Sequence, residues 1–448
     1  MNKELLYNKY IDILKEELIP AMGCTEPIAI AYCASIARKH LSKMPTKVSV
    51  FASGNIIKNV KSVIVPNTNG LKGIPAAAFA GIIAGDSNRM LEVISSVNDT
   101  QKKEMADALS TIPCDVKLLE DGSIFDILIE LQAGDDYSIA RITDYHTNVV
   151  YIEKNGTVIL DKRSEIHSPA SPITDSAVIP DACSVSPNNS DDNNELSDRS
   201  ILNVEAIIDF ADNVELTRVE AILSQQIEYN MAIAEAGLNG NFGANVGRVL
   251  LNSYGNDIKI RARAKAAAAS DARMNGCELP VVINSGSGNQ GITASVPVIE
   301  YARELEVSEE KLYRALLVSN LITIHLKTGI GRLSAYCGAV SAGCGAGAGI
   351  AYLHGGDFKT IAHTVVNSLA IVSGIVCDGA KASCAGKIAA AVDAGILGYH
   401  MYENGNQFRG GDGIVTKGVE NTIRNIGHLG REGMKETDKE ILKIMLEQ

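Results

Sequence analysis

Four cysteines in the second half of the chain form two pairs of identical spacing. "CGAVSAGCGAGAGIAYLHGG" holds Cys337 and Cys344, and "CDGAKASC" holds Cys377 and Cys384; six residues separate the members of each pair. Thiols in such a pattern are either metal ligands or small core residues. Zinc knuckles keep their ligands roughly two to four residues apart, so that the chelate loop stays short. Here the gaps are longer, and Cys377 follows Cys337 by forty positions. An iron–sulfur cluster is a larger object that accepts thiolates from separate helices and loops. That suits Cys337, Cys377 and Cys384 better than one zinc ion does. On spacing alone the plainer alternative stays open, because free cysteine is among the most buried residue types.

A second stretch, "INSGSGNQGITAS" from Ile283 to Ser295, runs from a short apolar strand through a glycine loop into an expected helix. Successive backbone N–H groups in such a loop form an anion nest, and a helix start adds partial positive charge. Ser285, Gly286, Ser287, Gly288, Asn289 and Gln290 are therefore expected to hold a substrate carboxylate, although a capped turn has the same appearance. Cys24 in "AMGCTEPIAIA" sits beside Thr25, which reads as the N-cap of a helix. That position favours the thiolate and makes Cys24 a base, a nucleophile or a metal ligand. His325, Lys327 and Arg332 precede Cys337 and are weaker candidates, as is Lys381 between the last two cysteines. Gly343, Gly345 and Ala348 fit a dinucleotide fingerprint, but no convincing strand precedes them.

The elements that must position these residues fall into unlike halves. Residues 4–18 read as a helix, and a second helix follows Cys24 to about His40. From Lys47, "KVSVFAS", "SVIVPN", "CDVKLLE", "FDILIELQA", "YSIARITDYH", "NVVYIEKNG" and "TVILDK" read as short strands, with helices expected at 75–95 and 98–112. Residues 46–163 thus form an α+β domain. Residues 164–200, rich in Ser, Pro, Asn and Asp, read as a polar linker or loop. Residues 201–448 read as an all-α domain packed through Gly and Ala, with helices expected at 203–211, 213–236, 244–253, 257–275, 289–304, 308–328, 331–352, 358–374, 378–396 and 418–429. The overall class is α+β, mostly helical, with the smaller domain inserted after N-terminal helices (1–45) that are expected to pack on the helical domain. The "SGNIIKN" segment, Ser53 to Asn59, is the part of the smaller domain best placed to reach a substrate.

Composition narrows the class further. The chain of 448 residues carries a formal net charge of −12 with no Lys/Arg-rich run, which argues against a nucleic-acid partner. Its start, "MNKELLYNKYIDILKEELIP", is amphipathic and acidic, unlike a signal peptide, so a cytoplasmic protein is expected. Leu333 to Leu353 lacks charge, but its Gly, Ala and Ser content makes it a poor membrane span. Nine cysteines in a reducing compartment do not suggest a disulfide framework; Cys33 and Cys114 read as structural, and Cys183 lies in the polar linker. The Gly/Ala helix surfaces leave a homo-oligomer open.

Taken together, "MGCTEPIAIA", "SGNIIKNVKSVIVPNT", "NGNFGANVGR", "NSGSGNQGITASVPV", "CGAVSAGCGAGAGIAYLHGG" and "CDGAKASCAGKIAAA" resemble the L-cysteine desulfidase family, related to the α-domain of iron–sulfur L-serine dehydratases. The resemblance spans nearly the whole chain outside the polar linker. It implies a [4Fe–4S] enzyme that eliminates HX from a β-substituted amino acid, with Cys337, Cys377 and Cys384 as cluster ligands and Cys344 outside that set. L-cysteine would give hydrogen sulfide, ammonia and pyruvate. It also implies Cys24 as the first choice of α-proton base, ahead of Lys381 and His325. Rival expectations are the same chemistry on L-serine, a pyridoxal-phosphate lyase using Lys381, and a non-catalytic iron–sulfur sensor.

Overall fold

The computed structural model describes residues 2–120, 122–165 and 196–447. Most of the polar linker, with Cys183, lies outside the described residues. Strands β1 (Pro20–Met22), β2 (Lys47–Ala52), β3 (Cys114–Leu118), β4 (Asp126–Ala133), β5 (Asp136–Thr143), β6 (Val149–Lys154), β7 (Thr157–Asp161) and β8 (Pro280–Val282) form two sheets. The larger has the order β3-β2-β4-β5-β6-β7, with β2 and β3 parallel and the other neighbours antiparallel. "SVIVPN", expected as a strand, contributes only the isolated bridge Ile64–Lys72, because Pro66 follows at once and cannot donate to a ladder.

Helices α1 (Lys3–Glu17) and α2 (Thr25–His40) part company. On α1, Tyr7 and Tyr10 pack edge-on against Phe210 in the helical half. The second helix does not follow it there. Thr25 to Ala37 is buried on every side, as befits a helix that is apolar all round, and it lies between the six-stranded sheet and α4 (Gly73–Ala84). The Cys33 thiol donates to the β5 carbonyl of Ala140 at 3.4 Å and the Ser138 hydroxyl to Ala37 O at 2.8 Å, fixing α2 on the sheet. Between α2 and α4 stands α3 (Gly54–Val60), and α5 (Asp99–Thr111) completes this unit. The link back to the helical half is made by β1, which pairs antiparallel with β8 through Ala21–Val281.

The helical half contains α6 (Val204–Asn213), α7 (Glu220–Asn239), α8 (Val246–Tyr254), α9 (Ile258–Met274), α10 (Gly288–Glu304), α11 (Glu309–Ile330), α12 (Gly338–Leu353), α13 (Phe358–Val372), α14 (Cys384–Glu403), α15 (Val419–His428) and α16 (Lys435–Leu446). At its centre α12 is buried from Ala339 to Leu353 and lies among α10, α11, α13 and α14. The approach of α12 to α14 is backbone-close: a Cβ at Gly343 would lie 2.4 Å from Ala391 O, and one at Gly395 2.3 Å from Gly343 O. Small residues thus serve helix contact rather than flexibility. Three helices start six or seven residues later than their sequence predicts, at 220 instead of 213, at 338 instead of 331 and at 384 instead of 378. The residues left out of the second carry Cys337, and those left out of the third lie between Cys377 and Cys384. Among the described residues no helix is long and apolar enough to cross a membrane.

Candidate active site

A cavity of about 100 Å³ opens where the two halves meet, lined from both sides. The helical half contributes Cys337, Cys377 and Cys384 to it. Backbone hydrogen bonds explain how residues forty positions apart become neighbours. Tyr336 and Val376 form an antiparallel bridge, Cys337 N donates to Ile375 O at 3.2 Å, and Cys377 N donates to Ala335 O at 2.6 Å. Cys337 is the N-cap of α12 and Cys384 opens α14, so both sulfurs sit in the positive field of a helix start. Cys337 and Cys377 interact as a buried pair: the Cys337 thiol, with Lys58 and Lys327 nearby, pulls Cys377 below the ordinary thiol value, while Cys337 itself is pushed up. Burial pushes the Cys384 thiol up.

Three lysines surround these sulfurs. Lys58 of α3 is 2% exposed; its Nζ reaches Cys377 O at 3.5 Å and pairs with Asp438 of α16. Lys327 is buried, which lowers its ammonium to about 8. Lys387 pairs with Asp378 and donates to Val376 O at 2.9 Å. Among the described residues no three His, Cys, Asp or Glu side chains gather closely enough to hold a single metal ion.

The glycine loop forms the second wall. Asn284 and Ser287 exchange backbone hydrogen bonds at 3.1 and 3.0 Å, with Ser285 and Gly286 at φ +50° and +77° between them. The Thr25 hydroxyl donates to Gly286 O at 3.0 Å. Ser287 is the N-cap of α10, yet its side chain makes no capping hydrogen bond. Ser285, Gly286, Ser287, Asn289 and Gln290 line the cavity, and Gln290 packs against Gly338 at the start of α12. The loop and the thiols therefore face one space.

The third wall comes from the mixed unit: Cys24 and Glu26 near the start of α2, Asn55, Lys58 and Asn59 of α3, Phe125, and His146. Cys24 itself is the N-cap of α2, where Thr25 was expected. Its thiol donates to Glu26 Oε2 at 3.2 Å, and Thr25 Oγ1 and Asn59 Nδ2 donate to the same carboxylate at 3.0 and 2.9 Å. Burial, with the Glu26 charge adding to it, raises Cys24 well above the ordinary thiol value, the reverse of the depression expected from a helix start. His146 packs edge-on against Phe125 at 4.7 Å, its Nε2 has no hydrogen-bond partner, and burial lowers it to about 4.

Three other expected residues lie apart from this cavity. His325 Nε2 bonds Glu420 Oε2 at 2.7 Å, Lys381 pairs with Asp378 at 2.8 Å, and neither lines the cavity. Cys344 is fully buried in the middle of α12, where burial raises its thiol. Conversely, Glu26, His146, Arg273 and Lys387 line the cavity without having been singled out by sequence. Glu26 had a visible signal, since it belongs to the same "GCTEP" run as Cys24. His146 and Arg273 had none, the one lying in the turn between β5 and β6 and the other next to the last residue of α9.

A cavity built between a glycine loop and a cysteine-bearing helical half fits the family to which the sequence aligns. Residues 88–443 match the serine dehydratase alpha chain family, and the chain belongs to it. A UPF0597 protein of Desulfitobacterium hafniense is 62% identical over 99% of this chain and 97% of its own. Others from Lachnoclostridium phytofermentans and Treponema denticola are 50% and 45% identical, each over 98% of this chain and covered over 100% and 98% of their own.

Proposed function

We propose that the protein is a lyase that eliminates hydrogen sulfide from L-cysteine, with a [4Fe–4S] cluster held by Cys337, Cys377 and Cys384. The observation that carries this reading is that these three thiols, the Ser285–Gln290 loop and Cys24 line one cavity. The donor set suits a cluster: it is all sulfur, it does not converge on one ion, and Lys58, Lys327 and Lys387 offset the negative charge that a cluster and three thiolates bring. When bound, the cluster supplies a Lewis-acidic iron that draws electrons from the substrate's β-sulfur and lowers the cost of losing the α-proton.

The chain's own groups supply the rest. The loop and the start of α10 orient the substrate carboxylate with backbone N–H groups. Cys24 takes the α-proton as a thiolate, after its own proton passes to Glu26 Oε2 along the existing 3.2 Å hydrogen bond. Buried at 1% exposure, Cys24 is not a free thiolate at rest, so this transfer accompanies substrate binding. Loss of the α-proton and of sulfide leaves 2-aminoacrylate, which tautomerises to the imine and takes up water to give pyruvate and ammonia. Lys381 and His325, engaged with Asp378 and Glu420, are the lesser choices of base.

L-serine, losing water instead of sulfide, is the second reading, and the match to the serine dehydratase alpha chain family favours it. Anaerobically prepared protein assayed for kcat/KM on both amino acids separates the two. A preference for L-cysteine of tenfold or more supports the desulfidase; the reverse ratio assigns the dehydratase, and turnover of neither overturns both.

A further inference from the structure

Arg273, near the end of α9, is 2% exposed and lines the cavity, yet among the described residues no carboxylate lies within hydrogen-bond reach of it. Its Nη1 donates to Asn289 Oδ1 at 3.2 Å, while Nε and Nη2 have no partner among the described residues. A guanidinium carries five N–H donors and loses much hydration when buried, so leaving two of its nitrogens unpaired is costly unless a ligand completes them. The acid nearest in sequence is already engaged: Asp271 accepts from Ala244 N and Val246 N at 3.3 and 2.7 Å, capping α8.

Two further observations bear on what this spot would hold. Arg273 lies flat against the first residue of α10, since a Cβ at Gly288 would sit 2.2 Å from its Nε. The unpaired guanidinium edge thus adjoins a helix start whose N-cap side chain makes no cap. A planar fork beside free backbone N–H groups matches a carboxylate in shape and charge. Arg273 also stands apart from the lysines around the sulfurs: its field acts on Cys24 and His146, whereas Lys58 and Lys327 act on Cys377.

We propose that Arg273 is the residue that binds the α-carboxylate of the amino-acid substrate, so that the site selects amino acids over the corresponding amines. This rests on the lyase reading for the identity of the substrate, but its test does not depend on turnover. Anaerobically prepared full-length protein is titrated calorimetrically with L-alanine, which has the carboxylate and no leaving group, and with L-alaninamide and ethylamine, which lack it. Wild type is expected to bind L-alanine at least about tenfold more tightly than either, and Arg273→Met to lose roughly 10- to 100-fold of L-alanine affinity, the range for a charge-assisted pair. Gly288→Ala, which pushes the guanidinium aside without removing it, is expected to lose affinity in the same direction and covers the case in which Arg273→Met does not fold. Equal affinity of wild type for L-alanine and L-alaninamide overturns the proposal, as does L-alanine affinity within twofold of wild type in a folded Arg273→Met. Protein that binds L-alanine through Arg273 but releases no sulfide keeps this inference and loses the desulfidase. Sulfide release with an unchanged KM in Arg273→Met does the opposite.

Discussion

The helical half meets the cavity with the starts of its helices, whereas the mixed unit meets it with side chains held by their neighbours. Cys337, Cys384 and the Ser285–Gln290 loop all stand at or just before a helix N-terminus. Their sulfurs and N–H groups point into the space between the halves because the helices end there. Glu26, Asn59 and Cys24 form instead a hydrogen-bonded set on one face of the mixed unit, and His146 is wedged against Phe125. The contrast separates two tasks. Helix ends can hold a negatively charged group, and a buried network can hold and move a proton.

The strongest way to break this comparison is to remove sulfurs from the first wall. Cys337→Ala or Cys377→Ala is expected to abolish iron binding and lower sulfide release more than 1000-fold, on the order of losing a catalytic metal's contribution. Cys344→Ala, in the same motif but inside α12, is expected to keep iron within twofold of wild type; iron analysis of anaerobic protein checks all three. Loss of iron in Cys344→Ala alone would reverse the assignment.

Removing the proton network should cost less and spare the cluster. Cys24→Ser is expected to lower kcat roughly 100- to 10,000-fold, the usual contribution of general base catalysis, with iron content and the KM for L-cysteine little changed. Iron loss in that variant would move Cys24 from the third wall's task to the first's.

A third test addresses the scaffold under the thiol wall. Gly343→Ala must separate α12 from α14, since its Cβ would fall 2.4 Å from Ala391 O. Such overpacking costs about 1–3 kcal/mol, measurable as a lower midpoint in chemical denaturation.

His146 gives an effect confined to pH dependence. Its folded value near 4 lies below the ordinary 6.5 because burial disfavours the charged ring. Above about pH 6.5 the ring is neutral folded or unfolded and contributes nothing. Between about 6.5 and 4 only the unfolded chain takes the proton, so stability falls with pH, by on the order of 3 kcal/mol at most. Comparing wild type with His146→Gln at pH 7 and pH 4.5 isolates this. An equal loss in both proteins would show that His146 is not the group responsible.

How much of this was legible in the sequence follows from where each residue stands. The Gly/Ala helices and most of the short strands are local patterns, and the majority appear close to their expected bounds. The loop and the thiol trio were visible because glycine and cysteine are conspicuous by type. The helix starting at Cys384 was expected six residues early, because the bridge between Tyr336 and Val376 and the bond from Cys377 N to Ala335 O, which hold the chain ahead of it extended, join residues some forty positions apart. The packing of α2 on the sheet was missed because a helix apolar all round does not say which neighbour buries it. Arg273 was not singled out, since a cation in the last turn of a helix is ordinary. What makes it different, two guanidinium nitrogens without partners among the described residues and the nearness of Gly288, exists only once α9 and α10 are side by side.

The central claim is a sulfur-bound cluster at the junction of the two halves, and iron and acid-labile sulfide in protein purified without air test it most directly. The account predicts about four of each per chain, with an absorption near 400 nm that air bleaches and with L-cysteine turnover lost in step. Iron-free protein that still releases sulfide from L-cysteine at the same rate would contradict it.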